Sequence, residues 1–213
     1  MNRILYPAQS RYLENLNKES DPLLEEMETF ANQNNIPILS KDSAKFLELL
    51  INMVKPKRVL ELGTAIAYSS IRIARNLKKK SVVHTIEKSA DNIPIAKENI
   101  AKSGFQDKII IYEGNAVEIM PTLAKKYDFI FLDADKADYK RLFDYSIILL
   151  KKGGVIFIDN LLWHGYTAAS KVPADRKLST KIIREFNEIF ISQPNLKTTV
   201  LPVGDGIGIG VKE

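Results

Sequence analysis

From residue 57 onward the chain alternates between two patterns, and that alternation restricts the fold more than any single motif. Short apolar runs read as strands: "KRVLEL" (57–62), "SVVHTIE" (81–87), "KIIIYE" (108–113), "YDFIFLDA" (127–134) and "GGVIFIDN" (153–160). Helix-like stretches at 68–79, 89–103, 115–125 and 137–150 separate them. Strand–helix repetition implies a parallel sheet with helices on both faces. The runs are apolar throughout rather than alternating, as strands buried on both sides require. The pattern changes at the end, where a helix near 177–192 precedes "KTTVLPV", "GDG" and "IGIGV". Two strands joined by so short a connection predict a hairpin, and hence one antiparallel strand at or near the sheet edge.

Residues 10–54 are helical in pattern. "DPLLEEMETFANQNN" opens on Asp21 as N-cap with Pro22 at the first helical position, and "SKDSAKFLELLINMV" opens on Ser40. With no repeat or linker in view, residues 1–213 are expected to form one domain, with a helical N-terminal extension (1–54) and an α/β core (55–213). A hydrophobic share of 45% over 213 residues supports a sizeable core. No apolar run approaches the roughly 18 residues of a membrane span. The N-terminus lacks an apolar segment followed by a cleavage site. There is no cysteine, so disulfides, thiolate metal sites and a thiol nucleophile are excluded. A cytoplasmic protein without a membrane partner is the expectation.

In an open α/β sheet, ligands sit beyond the carboxyl ends of the strands. The residues there are Glu61 with Gly63, Glu87, Gly114 with Asn115, Asp133, and Asp159 with Asn160. One such residue is readily a helix cap; five strands sending polar or glycine residues to one edge need a ligand. The turn in "VLELGTAIAYSS" resembles a nucleotide-binding turn but is not G-x-G-x-x-G, which argues for a ligand without phosphates. Glu87, at the next strand tip, can accept both hydroxyls of a ribose. Asp133, Asp159 and Asn160 end neighbouring apolar strands and form an all-oxygen set suited to a hard divalent cation such as Mg²⁺. The alternative is a cluster held by Lys136 without metal.

These segments together resemble the class I S-adenosyl-L-methionine-dependent methyltransferases, and within them the metal-dependent catechol and caffeoyl-CoA O-methyltransferase group. "VLELGTAIAYSS", "HTIEKS", "YEGNA", "FIFLDADKADY", "IFIDNLLWHG" and "LPVGDGIGI" stand in that group's order and spacing, covering roughly residues 35–213. "ENLNKESDPLLEEMETFANQNNIPIL" extends the likeness to the bacterial tRNA 5-hydroxyuridine O-methyltransferases.

The resemblance implies a Rossmann-like, mostly parallel seven-stranded sheet and a homodimer. It implies S-adenosyl-L-methionine bound by Glu61, Gly63 and Ser69 at the methionine end, Glu87 at the ribose, and Asn115 and Ala116 at the adenine. Ile38 and Leu39 would close over the site, and Asp133 would lie near both cofactor and metal. Lys136 would act as general base or electrostatic partner. Two departures stand out: Ala67 replaces a usual glycine, with a methyl that would crowd the methionine end, and Asn115 replaces a usual aspartate.

A metal centre of this kind prefers two adjacent oxygens on the acceptor, which both a catechol and 5-hydroxyuracil present. The net charge of +5 permits RNA. Basic clusters before the strands, such as Lys78–Lys80, fall opposite the expected site and read as solvated loops. Lys171, Arg176, Lys177, Lys181 and Arg184 follow the metal-bearing strand and are the candidate RNA contacts, with Arg3, Arg11 and Lys18 able to reach the same side. Trp163, His164 and Tyr166 would stack a base or wall a pocket for a phenolic ring. The expected partner is tRNA; the alternative acceptor is a small phenol.

Overall fold

A computed structural model describes residues 6–213; Arg3 lies outside them. Three helices come first: α1 (Pro7–Leu16), α2 (Pro22–Gln33) and α3 (Lys41–Val54). Asp21 caps α2, accepting from the Leu24 amide at 3.1 Å, and Ser40 caps α3, accepting from the Ser43 amide at 3.3 Å. The core then runs β1 (Arg58–Leu62), α4 (Tyr68–Asn76), β2 (Val82–Glu87), α5 (Asn92–Ser103), β3 (Ile109–Glu113), α6 (Ala116–Ile119), β4 (Tyr127–Leu132), α7 (Tyr139–Leu149), β5 (Leu150–Ile158), α8 (Lys177–Ile191), β6 (Leu196–Leu201) and β7 (Ile207–Lys212).

The seven strands form one sheet in the order β3-β2-β1-β4-β5-β7-β6. All pairs from β3 to β5 are parallel, and β7 is antiparallel to both β5 and β6. Successive residues of each central strand feed opposite faces, which explains the unbroken apolar runs. Val59, Val83, Phe129, Phe131 and Phe157 pack with α2, α3 and α4 on one face. Leu60, Leu62, Ile130, Leu132, Ile156 and Ile158 pack with α7 and α8 on the other. Among the described residues no helix is long and apolar enough to cross a membrane.

The topology fixes where the polar residues go. Chain order reverses between β1 and β4, so a crevice opens there at the carboxyl edge. Because β7 runs antiparallel between β5 and β6, the 202–206 connection also arrives at that edge. It packs closely on the chain after β5: Leu161 donates to the Gly206 carbonyl and Leu162 to that of Asp205, both at 2.9 Å. A Cβ on Gly206, where φ is +89°, would lie 2.4 Å from Leu162 Cγ, so only glycine fits.

Candidate active site at the carboxyl edge

A cavity of about 550 Å³ lies over the crevice. Its walls include Gly63, Thr64, Ala65 and Ser69 after β1, Glu87 and Lys88 after β2, Gly114, Asn115 and Ala116 after β3, and Asp133 to Lys136 after β4. Asn160, Trp163 and His164 follow β5, and Pro37, Ile38 and Leu39 close one side from the N-terminal extension.

The β1 turn is shaped for close backbone approach. Gly63 has φ +102°, and a Cβ there would stand 2.0 Å from the Asp133 carbonyl oxygen. Ala65 and Ala67 follow, both with left-handed backbones. Glu87 pins the turn: its Oε2 accepts from the Ala65 amide at 2.7 Å and its Oε1 from Ser89 at 2.8 Å. An ionised carboxylate offers about four acceptor directions, so lone pairs remain for two vicinal hydroxyls. Asn115 caps α6 through Oδ1, which accepts from the Val117 amide at 3.0 Å.

Two residues stand differently from the sequence expectation. Glu61 is fully buried behind the cavity rather than in its wall, and its carboxylate accepts hydrogen bonds from Ser69, at 2.5 Å, and Ser70. Burial pushes its carboxyl up to about 7, against the opposing effect of those hydroxyls. Glu61 thus orients Ser69, which does line the cavity. Ala67 is also fully buried and belongs to the core, so its methyl does not crowd the cavity.

At the other end, Lys136 Nζ donates to Asn160 Oδ1 at 2.6 Å, to Asp133 Oδ1 at 3.2 Å and to the Tyr139 hydroxyl. The Tyr139 hydroxyl donates onward to the Asp159 carbonyl at 3.0 Å. Burial and the surrounding carboxylates push this phenol well above its ordinary range. Asp159 is 4% exposed, forms no ion pair with Lys136, and its Oδ1 has no hydrogen-bond partner. Burial, then the neighbouring charge of Asp133, raises its carboxyl. Among the described residues no three carboxylate or imidazole groups make a metal cluster, but two carboxylates with the Asn160 amide make an all-oxygen set. Two of these oxygens already converge on one cation, the ammonium, while the third is buried without a partner. That donor set could hold a hard divalent ion.

Asp205 joins this group, and the sequence reading assigned it no role. Its Oδ1 accepts from the His164 amide at 2.5 Å, and its Oδ2 lies 3.6 Å from His164 Nδ1 and 3.4 Å from Asn160 Nδ2. The only available signal was its place in "GDG", on a connection whose landing at this edge depends on the antiparallel β7. Asn160, Trp163 and His164 all have positive φ, and α8 clamps the loop they begin. Trp163 Nε1 donates to Ser179 at 3.1 Å, and Arg184 donates to the carbonyls of Tyr166, Thr167 and Ala169 at 2.9, 2.9 and 2.6 Å. Arg184 is therefore engaged in holding the loop. Arg176 pairs with Asp175 at 3.3 Å and Lys181 with Glu185 at 3.7 Å, while the Lys171 and Lys177 side chains are exposed.

A doubly covered sheet of this order, with a glycine turn and an acidic second strand tip beneath one cavity, defines a Rossmann-like methyltransferase. The chain belongs to the O-methyltransferase family, whose model matches residues 14–213. It is 32% identical over 203 residues to caffeoyl-CoA O-methyltransferase 2 of Petunia hybrida, covering 89% of this chain and 83% of that protein. It is 30% identical over 221 residues to a catechol O-methyltransferase of Niastella koreensis, covering 100% and 96%. An O-methyltransferase from Bacillus cereus, solved in complex with SAH, superposes with a TM-score of 0.84 at 28% identity over 97% of each chain. The protein is an S-adenosyl-L-methionine-dependent O-methyltransferase.

Proposed function

We propose that the protein methylates the 5-hydroxyl of 5-hydroxyuridine at the wobble position of tRNA, giving 5-methoxyuridine. The observation that carries this reading is the N-terminal segment: the stretch resembling the tRNA enzymes forms α2 and supplies Pro37, Ile38 and Leu39 to the cavity wall. Trp163 and His164, with ring centres 5.4 Å apart, offer flat surfaces beside Asn160 for an extruded base. Exposed Lys171 and Lys177 stand on the loop and helix beyond them and suit phosphate contacts.

In this reading Ser69, Gly63, Glu87, Asn115 and Ala116 hold S-adenosyl-L-methionine, which supplies an electrophilic methyl on sulfur. Asp133, Asp159 and Asn160 would hold Mg²⁺ or another divalent cation, whose charge would acidify the acceptor hydroxyl. Lys136 has oxygen partners for all three donors, the geometry of an ammonium. It acts as a fixed positive charge beside the acceptor oxygen, favouring oxyanion character as the hydroxyl proton leaves toward the open mouth. Asp205 and Tyr139 keep Asn160 and Lys136 in place. Exposed Leu49 and Met53 on α3 and Tyr12 and Leu16 on α1 suit the homodimer that the resemblance implies.

A second reading, methylation of a small catechol-like phenol, is favoured by the acidity of the mouth. Asp133, Asp135, Asp138, Asp205 and Glu87 repel phosphates unless a cation intervenes. The two are separated by assaying 5-hydroxyuridine-containing tRNA against catechol, with and without EDTA, at two salt concentrations. The tRNA reading expects EDTA-sensitive methylation of tRNA whose binding weakens steeply with salt. Turnover of catechol alone would replace it with the second reading.

A further inference from the structure

The N-terminal wall of the cavity is tied to the core through one buried guanidinium. Arg72 of α4 is 1% exposed. Its Nη1 donates to Glu48 of α3 at 2.6 Å, and its Nη2 donates to Glu19, ahead of α2, and to the Tyr68 hydroxyl at 2.7 Å. Glu28 of α2 lies 3.5 Å from Nη2 and accepts from the Tyr68 hydroxyl at 2.6 Å. The guanidinium carbon sits 4.6 Å from the centre of the Tyr68 ring. Three carboxylates from three N-terminal segments thus meet one cation on the helix that begins at the β1 turn. Lys41, 2.8 Å from Glu28, and Lys45, 3.9 Å from Glu48, are more exposed and flank the group.

The arrangement is a costly way to obtain stability alone. Buried ion clusters gain little over well-packed apolar side chains of the same volume, whereas deleting the buried cation leaves three carboxylates with only the more exposed Lys41 and Lys45 beside them. Leu24, Met27, Ala31, Leu47 and Ile51 already pack α2 and α3 against the sheet without charge. What the charges add is direction. Glu28 precedes the 37–39 segment and Glu48 follows it, so fixing both fixes the span between them. Tyr68, the link between Glu28 and Arg72, itself lines the cavity.

We propose that Arg72 is a positioning residue for cofactor binding: it latches α2 and α3 so that residues 37–39 stay closed over S-adenosyl-L-methionine. The proposal rests on the assignment of this cavity to the cofactor, and not on the identity of the acceptor. By linkage, whatever holds the wall closed tightens the ligand, and the ligand in turn protects the wall.

The test compares wild type, Arg72→Met, Arg72→Lys and Glu28→Gln/Glu48→Gln. It uses calorimetric titration with S-adenosyl-L-methionine alone, limited proteolysis across residues 17–45, and thermal melting. Arg72→Met is expected to melt cooperatively, to bind the cofactor at least tenfold more weakly, and to be cleaved faster in that segment. Arg72→Lys is expected to recover part of the affinity, and the double glutamine variant to lose three- to fivefold with faster cleavage. A folded Arg72→Met with wild-type affinity overturns the latch, as does weaker binding with unchanged cleavage. If Arg72→Met does not fold, the double variant decides by the same two measurements. Failure of the wild-type protein to bind the cofactor would instead overturn the cavity assignment itself.

Discussion

The two edges of the sheet are both densely charged, yet they use charge in opposite ways. Toward the amino ends of the strands, lysines find backbone carbonyls. Lys108 donates to those of Ala74 and Leu77 at 3.3 and 3.0 Å, Lys126 to Ile148 at 2.6 Å, and Lys212 to Ile147 and Leu150 at 2.6 and 2.9 Å. These are the C-terminal ends of α4 and α7, where orphan carbonyls and the helix dipole both favour a cation. Asp128 accepts from the Lys57 and Arg58 amides at 3.0 and 2.8 Å and pairs with Lys151 at 2.5 Å. Lys126, in one of the basic clusters before the strands that read as solvated loops, is thus a helix cap. Toward the carboxyl ends, Asp133 and Asn160 share the Lys136 ammonium, Asp205 holds Asn160 and His164 from the side, and Asp159 keeps an unpartnered buried oxygen. Charge that backbone groups satisfy is architecture; charge that the fold leaves unsatisfied is where a ligand is needed.

That contrast is broken most directly by activity. Lys136→Ala and Asp159→Ala are each expected to lower turnover by about 10²–10⁴-fold, the usual range for a positioned acid–base or charge-stabilising group. Cofactor affinity, read by titration, should stay within about threefold under the same scale of reasoning, because neither side chain lies at the proposed cofactor end. Lys126→Met at the opposite edge should leave turnover unchanged. Wild-type-like turnover of either carboxyl-edge variant at saturating acceptor removes that residue from the mechanism.

Stability against pH sharpens the comparison. Glu61 is raised from an ordinary carboxyl to about 7 by burial. Between roughly 4.5 and 7 the folded state therefore retains a proton that the unfolded chain has lost, so its contribution to stability falls as pH rises through that window. Glu61→Gln, which still accepts one serine hydroxyl, should flatten this part of the profile by on the order of 2 kcal/mol. Urea unfolding at pH 5 and pH 8 measures it; an equally steep decline in the variant assigns the slope to other groups.

The amino-edge caps predict a smaller change. Lys108→Met removes two hydrogen bonds at the C-terminus of α4 and should cost about 1 kcal/mol of unfolding free energy, with turnover unaffected. A loss of turnover instead would show that the two edges are not separable.

The sequence was most legible where burial alone decides. Apolar runs located all seven strands to within a few residues, and Asp21 and Ser40 announced the starts of α2 and α3 through their capping chemistry. The strand-tip residues were legible because the carboxyl edge follows from strand direction. Long-range pairing was not. Asp205 enters the site because β7 inserts antiparallel between β5 and β6, and no local pattern encodes that neighbour choice. Arg72 lies in a helix whose sequence says nothing of three glutamates brought from 24 to 53 residues away. Glu61 and Ala67 could be placed near the turn, but their side-chain directions depended on packing against residues elsewhere in the chain.

The smallest effect is expected at Ala67, and it discriminates well because two terms of similar size oppose each other. Five of the seven non-glycine residues with positive φ among the described residues, Ala65, Ala67, Asn160, Trp163 and His164, lie in the two turns beside the cavity. Ala67, at φ +69°, carries a strain of roughly 1–2 kcal/mol that glycine would relieve. Its methyl is fully buried in the core and contributes about 0.8 kcal/mol, and glycine adds a further unfolded-state entropy cost of roughly 0.5–1 kcal/mol. Ala67→Gly should accordingly unfold within about 1 kcal/mol of wild type. Because the methyl points into the core, affinity for S-adenosyl-L-methionine should not change. Tighter binding by the glycine variant would mean that the methyl does reach the cofactor, and that strain at this edge is set by the ligand rather than by the packing beneath it.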